Sequence, residues 1–77
     1  MSRLPTVTGK EALDAFTRLG FSLVRISGSH HIMKRPGHPF MLSVPVHKNK
    51  ALKPGTLRSL VNDAGVTVDE FVRALGS

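Results

Sequence analysis

The side chains best suited to chemistry at neutral pH are the four histidines of this 77-residue chain. They are His30, His31, His38 and His47. An unperturbed imidazole titrates near pH ~6.5, so such a group can both accept and donate a proton. Beside an RNA phosphodiester it could take the proton of a 2′-hydroxyl or protonate the leaving 5′-oxygen, and neither step needs a metal. Acid–base chemistry on a phosphodiester is therefore the first hypothesis.

Of the four, His30 is the best candidate. It follows Gly28-Ser29, where the backbone can come close to a phosphate, and it stands at the start of a predicted strand. Its neighbour His31 must point to the opposite face of that strand. The alternative for His30 is a surface or hydrogen-bonded histidine with a structural role. We expect His38 to be solvated in a turn, and His47 to bind phosphate rather than to catalyse.

Other reaction types lack the residues that they need. No acid occurs from Ala15 to Asn62, so the chain has no obvious set of carboxylates for a paired-carboxylate or carboxylate–magnesium site. Asp14 and Asp63 could meet in space, but each lies on a predicted helix surface, where solvation is expected. The chain has no cysteine, and neighbouring strand residues do not share a zinc ion, so we predict neither a metal nor a cofactor. Ser29 has no acid nearby to orient a base, which argues against a serine hydrolase.

The distribution of charge favours a polyanionic partner. The net charge is +6, from eleven Lys and Arg against five acids, and most of the basic residues lie in the acid-free stretch. Nucleic acid is the commonest partner of such a surface, and simple solubilisation is the alternative. Lys48, Lys50 and Lys53 precede a predicted helix N-terminus, which itself favours anions. A merely solvated loop is the alternative for this segment. With no Tyr or Trp, a base-stacking platform is not expected.

Local patterns predict a helix, three strands and two further helices. The predicted helices are 9–19, one that begins at Pro54 and ends at Gly65, and a short one that begins with a Thr67–Glu70 capping box; the predicted strands are 21–26, 31–35 and 40–46. Thr8 and Glu11 form the capping box of the first helix. Phe40, Leu42, Val44 and Val46 alternate with Met41, Ser43 and His47, as expected of a half-buried strand, and Pro45 indicates an edge strand or a strand end.

This order of elements predicts one domain over residues 1–77. We expect the α+β class, as a double-stranded-RNA-binding-domain-like α-β-β-β-α two-layer sandwich with a short C-terminal helix. The N-terminal residues do not have the character of a signal peptide, and no apolar run approaches the ~20 residues that span a bilayer. A cytoplasmic location is therefore expected.

Taken together in this order, the motifs resemble the HicA family of toxin–antitoxin systems. The residues that carry the resemblance are Leu4-Pro5, Gly9-Lys10-Glu11, Leu19-Gly20-Phe21, Gly28-Ser29-His30-His31, Val44-Pro45-Val46-His47, Leu52-Lys53-Pro54-Gly55-Thr56-Leu57, Asp63-Ala64-Gly65 and Glu70-Phe71. The resemblance implies a ribonuclease that cuts messenger RNA without a ribosome, with His30 as the catalytic histidine and a HicB antitoxin that covers the site. The hairpin Pro36-Gly37-His38-Pro39 departs from the family's more frequent Asp-Gly turn.

The leading hypothesis is a metal-independent RNA endonuclease that uses His30 as general acid or base. The predicted RNA-binding residues are Gly28, Ser29, Lys34, His47, Lys48, Lys50 and Lys53. Such a toxin would be a monomer when free and a hetero-oligomer with its antitoxin. A non-catalytic double-stranded-RNA-binding module with the same basic face is the alternative. The third hypothesis is a pure interaction protein, whose basic surface binds an acidic partner.

Overall fold

The elements of the fold follow the order predicted from the sequence. A computed structural model describes residues 3–76. The elements are α1 (Gly9–Arg18), β1 (Ser22–Ser27), β2 (His30–Lys34), β3 (Leu42–Pro45), α2 (Pro54–Ala64) and α3 (Val68–Leu75). The strands form an antiparallel sheet of order β1-β2-β3. Helices α1 and α2 pack on this sheet and α3 packs against α1. The α+β, double-stranded-RNA-binding-domain-like prediction is confirmed.

Capping boxes determine where α1 and α3 begin. The Thr8 backbone N–H donates to the Glu11 carboxylate at 2.8 Å, and the Glu11 N–H donates to the Thr8 hydroxyl at 3.2 Å. Thr67 and Glu70 repeat the arrangement at α3. The hydrogen bond from the Thr67 backbone N–H is the main reason why the pKa of the Glu70 carboxyl lies below its usual value. Both helix starts are therefore set by local sequence.

The third strand is shorter than its sequence pattern suggests. Inside it the predicted alternation is confirmed, because Leu42 and Val44 are buried while Ser43 is exposed. Pro45 is the last residue of β3, as expected for a residue that cannot donate to a ladder. Phe40, however, is 57% exposed rather than buried, because β3 begins two residues after it. The prediction of a strand from residue 40 was wrong at this end.

A single apolar core joins the helices to the sheet. Phe16 of α1 lies at its centre, with ring centroids 6.0 Å from Phe21 and 5.2 Å from Phe71 of α3. No charged or polar residue in the described part of the chain is buried. The groups that can do chemistry therefore lie at the surface. Between residues 3 and 76, no helix has the length and apolar character needed to cross a bilayer.

Strand β1 is one of the two outer strands of the sheet, and the helices leave most of it uncovered. All six of its residues are exposed. They include three large apolar side chains, Leu23, Val24 and Ile26, which are 48%, 55% and 56% exposed. Leu23 and Ile26 pair with Met33 and His31 of β2, so they lie on the helix side of the sheet but beyond the reach of the helices. An apolar strip therefore borders this edge of the sheet.

His38 is half-buried rather than solvated in a turn. Its Nε2 lies 2.6 Å from the carbonyl oxygen of Asp63 at the C-terminal end of α2, and its Nδ1 lies 3.1 Å from an Arg35 nitrogen. Because a carbonyl only accepts, Nε2 carries the proton and Nδ1 accepts from Arg35. The ring also packs edge-on against Phe21, with centroids 5.4 Å apart. His38 thus ties the β2–β3 loop to α2, a long-range contact that a turn signal does not reveal.

Candidate functional site

A two-residue turn places His30 at the end of the sheet. Ser27 and His30 pair with each other, and Gly28 and Ser29 connect them. Gly28 has a φ of +59°, which suits the first central position of a type II′ hairpin turn and which glycine adopts without strain. No other heavy atom lies within 4 Å of the point where a Cβ would stand on Gly28. The space beside this turn is therefore open.

The two adjacent histidines of β2 lie on opposite faces of the sheet. His31 pairs with Val44, which is buried under the helices, and its own ring is half-buried. The Nδ1 of His31 lies 3.4 Å from the Ser29 carbonyl oxygen. His30 instead pairs with Pro45, and its side chain is exposed on the outer face, away from the core. Of the two, His30 is the one that a substrate on the open face can reach.

Two rows of cross-strand neighbours surround His30 on this outer face. From β1 to β3, the first row is Ser27, His30 and Pro45, and the second is Arg25, Ile32 and Ser43. The hydroxyl oxygen of Ser43 lies 3.1 Å from the Nδ1 of His30. Arg25 is the diagonal neighbour on the other side, where Cα atoms are typically about 7–8 Å apart. An imidazole, a hydroxyl and a guanidinium are thus grouped on one surface.

Sequence reasoning missed Arg25 and Ser43. Simple alternation along the first strand puts Arg25 on the same face as Phe21 and Leu23, which point toward the core side. The register shifts between Leu23 and Arg25, so Val24 is an extra residue and Arg25 turns to the outer face. The available signal for this reversal was a charged residue at a position where the alternation pattern predicts an apolar one. Ser43 could be found only from the pairing of β2 with β3, which the sequence does not specify.

Three of the predicted RNA-binding residues come together in one cleft. His47, Lys50 and Lys53 line one cleft of about 380 Å³. Pro45, the cross-strand partner of His30, lines the same cleft. The cleft therefore reaches the strand residue paired with His30, and two lysines line it.

The N-terminal end of α2 adds to the positive potential of this cleft. Lys53 is the N-cap residue, and its side chain makes no capping hydrogen bond. The first backbone N–H groups of a helix have no partner within the helix, and they carry a partial positive charge. Thr56, in the first turn of α2, is one of the residues that line the cleft. Anions are favoured at this position.

The other two predicted lysines lie further from His30. Lys48 lines a neighbouring cleft with His47 and with Lys10 of α1. Lys34 is on the same face of β2 as His30 but four residues along it, which corresponds to about 13 Å. Lys34 borders a separate cleft, of about 550 Å³, together with Val24 and Arg35. The predicted lysines therefore form a track along the molecule rather than one cluster.

The acidic residues lie where the sequence led us to expect them. Asp14 is exposed on α1 and forms an i,i+4 ion pair with Lys10 at 3.8 Å. Asp63 is exposed near the end of α2. Among residues 3–76, no three histidine, aspartate or glutamate side chains are grouped so that they could hold a metal ion.

Comparison with known protein families gives one match. A family model described as the HicA toxin of bacterial toxin–antitoxin matches residues 9–66, which is well over half of the chain. A search of the curated proteins finds no match. The matched region runs from the start of α1 to just beyond α2. It therefore contains the β1–β2 turn, His30 and the basic cleft. The chain belongs to the HicA family of toxins of bacterial toxin–antitoxin systems.

Proposed function

We propose that this toxin is a metal-independent endoribonuclease that cleaves messenger RNA with His30 as its general acid and base. The observation that carries the proposal is the position of the His30 ring. It is exposed on the open face of the sheet, and its cross-strand partner Pro45 lines a cleft that Lys50 and Lys53 also line. These ammonium groups attract a phosphodiester to this part of the surface, close to the strand that pairs with His30. The family membership, which makes the chain a toxin, is consistent with this activity.

In this mechanism the proton moves through Nε2 of His30, because Nδ1 is occupied by Ser43. Nε2 takes the proton of a 2′-hydroxyl, and the oxygen so formed attacks the adjacent phosphorus. The bond from phosphorus to the 5′-oxygen breaks, and the imidazolium delivers its proton to that leaving oxygen. The products are a 2′,3′-cyclic phosphate and a 5′-hydroxyl end. Atoms and charge balance without a metal ion or a cofactor.

The remaining predicted residues would hold the RNA on either side of the broken bond. His47, Lys50 and Lys53 bind phosphates in the cleft, and Lys48 and Lys34 extend the track. At the Gly28-Ser29 turn the open space lets a phosphate approach the backbone. Contacts of this kind fix position and supply affinity without reading sequence.

As a HicA toxin the chain has an antitoxin partner. We propose that this antitoxin is HicB-like and covers the His30 face, so that the free toxin is a monomer and the inhibited form a hetero-oligomer. The substrate, messenger RNA, places the activity in the cytoplasm.

The direct test is cleavage of a labelled single-stranded RNA by the purified chain in excess EDTA. We expect cleavage to survive the chelator and to leave 5′-hydroxyl and 2′,3′-cyclic phosphate ends. The matched control is the same RNA with one 2′-deoxy nucleotide at the cut position, which must resist cleavage there because the attacking hydroxyl is absent. Loss of cleavage in EDTA would contradict the metal-free mechanism. Salt-sensitive binding of duplex RNA without any products would instead indicate the non-catalytic binding module.

A second test concerns Arg25, whose side chain makes no hydrogen bond or ion pair within residues 3–76. We expect Arg25→Ala to lower kcat/KM by about 10-fold or more, because a charge-assisted hydrogen bond to the reacting phosphate is lost. The control is Arg58→Ala, which removes the same charge from an exposed position on α2. Steady-state cleavage of one RNA measures both variants. Equal, small effects of the two substitutions would exclude Arg25 from the site.

A further inference from the structure

We infer that Ser43 is a positioning residue of this site, whose hydroxyl holds the His30 ring so that Nε2 faces the substrate. The inference rests on the proposed function, since a ring that moves no proton needs no such support. Ser43 has no role in the motifs that identified the family resemblance. Its assignment comes from the contact between its Oγ and Nδ1 of His30, at 3.1 Å.

The strand that carries Ser43 gives its hydroxyl a defined position. Its neighbours Leu42 and Val44 are fully buried, so the backbone of β3 is anchored in the core on both sides of it. Ser43 itself pairs with Ile32 and points to the outer face, one row along from His30. Only rotation about its χ1 bond remains free. A hydroxyl held in this way can restrict a neighbouring imidazole, whereas one on a mobile loop could not.

The direction of the hydrogen bond follows from the chemistry at the other nitrogen. To act as a base, Nε2 of His30 must have a free lone pair, so the single proton of the neutral ring is on Nδ1. After Nε2 has taken a proton, Nδ1 still carries its own. In both states, Nδ1–H donates to the Oγ of Ser43. The hydroxyl can thus supply the acceptor that the catalytic tautomer needs, and it does not have to change its role during the reaction.

A neutral hydroxyl acts more weakly here than a carboxylate would. In a serine protease triad, a buried aspartate holds the histidine in one tautomer and stabilises its charged form. No ion pair joins an acid to His30 or His31 within the described chain. A hydrogen bond to a neutral acceptor is worth only a modest factor in rate. The expected effect of removing it is correspondingly limited.

The experiment compares three variants with the unmodified chain. We expect Ser43→Ala to lower kcat by about 3- to 10-fold, the factor that an ordinary hydrogen bond supplies, with KM unchanged. Ser43→Thr keeps an Oγ and restores the rate. Ser27→Ala is the matched control, because Ser27 lies directly opposite His30 but makes no hydrogen bond to it. The ¹⁵N chemical shifts of the His30 ring report the tautomer, and in Ser43→Ala they move toward the form protonated at Nε2.

The outcomes separate this inference from the proposed function. A Ser43→Ala chain with the rate and His30 ring shifts of the unmodified protein overturns the positioning role, even when His30→Ala is inactive. Activity lost in Ser43→Ala as completely as in His30→Ala, together with RNA trapped covalently on the unmodified protein, would make Ser43 a nucleophile instead. RNA cleavage by the His30→Ala variant would contradict the proposed function itself, independently of the result for Ser43. Thermal unfolding of each variant checks that a rate change is not a loss of fold.

Discussion

His30→Ala is expected to abolish both RNA cleavage and growth arrest while the chain remains folded. General acid–base catalysis by a positioned side chain contributes typically about 10²–10⁴-fold, and this substitution removes the group that moves the proton. The ring is exposed and its one hydrogen bond, to Ser43, is at the surface. Substitutions at such positions change the free energy of unfolding by roughly 0.5 kcal/mol or less. The expected result is therefore a folded, inactive toxin.

Inducible expression of the unmodified chain beside His30→Ala, with total RNA followed over time, measures this result in cells. The matched control is His31→Asn, which changes the adjacent histidine on the opposite face and keeps a nitrogen near the Ser29 carbonyl. We expect the control to arrest growth. A folded His30→Ala protein that still degrades messenger RNA would end the assignment of His30 as the catalytic residue.

Gly9→Ala is expected to destabilise the chain by about 1–3 kcal/mol or more, although alanine is the better helix former. Gly9 is the first residue of α1 and is buried against the end of β3. A Cβ at this position would lie 2.9 Å from the Cα of Val46 and closer still to the carbonyl oxygen of Pro45. Because both are backbone atoms, they cannot give way by rotating a side chain. Helix α1 must move away from the sheet instead.

Thermal unfolding measures the loss, since about 4–8 °C in Tm corresponds to each kcal/mol in a domain of this size. The matched control is Gly55→Ala, in the first turn of α2, where a Cβ would meet no atom within 4 Å. We expect the control to gain about 0.4–1 kcal/mol. Because Pro45 is the partner of His30, Gly9→Ala should also lower RNA cleavage. Equal stability of Gly9→Ala and the unmodified chain would contradict the close approach of α1 to β3.

Those parts of the fold that depend on local chemistry could be predicted from the sequence. Capping boxes, a proline at a first helical position and glycines after helix ends each act within about four residues, and they placed α1, α2 and α3 correctly. Strand alternation also separated His30 from His31. The exposure of Phe40 was missed because strand ends depend on pairing. The half-buried state of His38 was missed because Asp63, its partner, lies twenty-five residues away.

The residues around His30 could not be predicted from the sequence as readily as His30 itself. His30 has a local signature, since it follows a glycine-containing turn at the start of a strand. Its neighbours come from two other strands, and one of them faces outward only because β1 contains a bulge at Val24. One extra residue in a strand reverses the direction of every side chain on one side of it. Arg25 and Ser43 therefore required the sheet register.

The uncovered edge of β1 also bears on how the protein avoids pairing with other chains. Its outer side presents unpaired backbone N–H and C=O groups beside the exposed side chains of Leu23, Val24 and Ile26. A strand of this kind is a template for pairing with another chain, and proteins usually protect it with charges, proline or a covering element. In β1 the bulge at Val24 and the charge of Arg25 are devices of this kind. The irregularity that turns Arg25 outward therefore also makes this edge a poorer template for another chain.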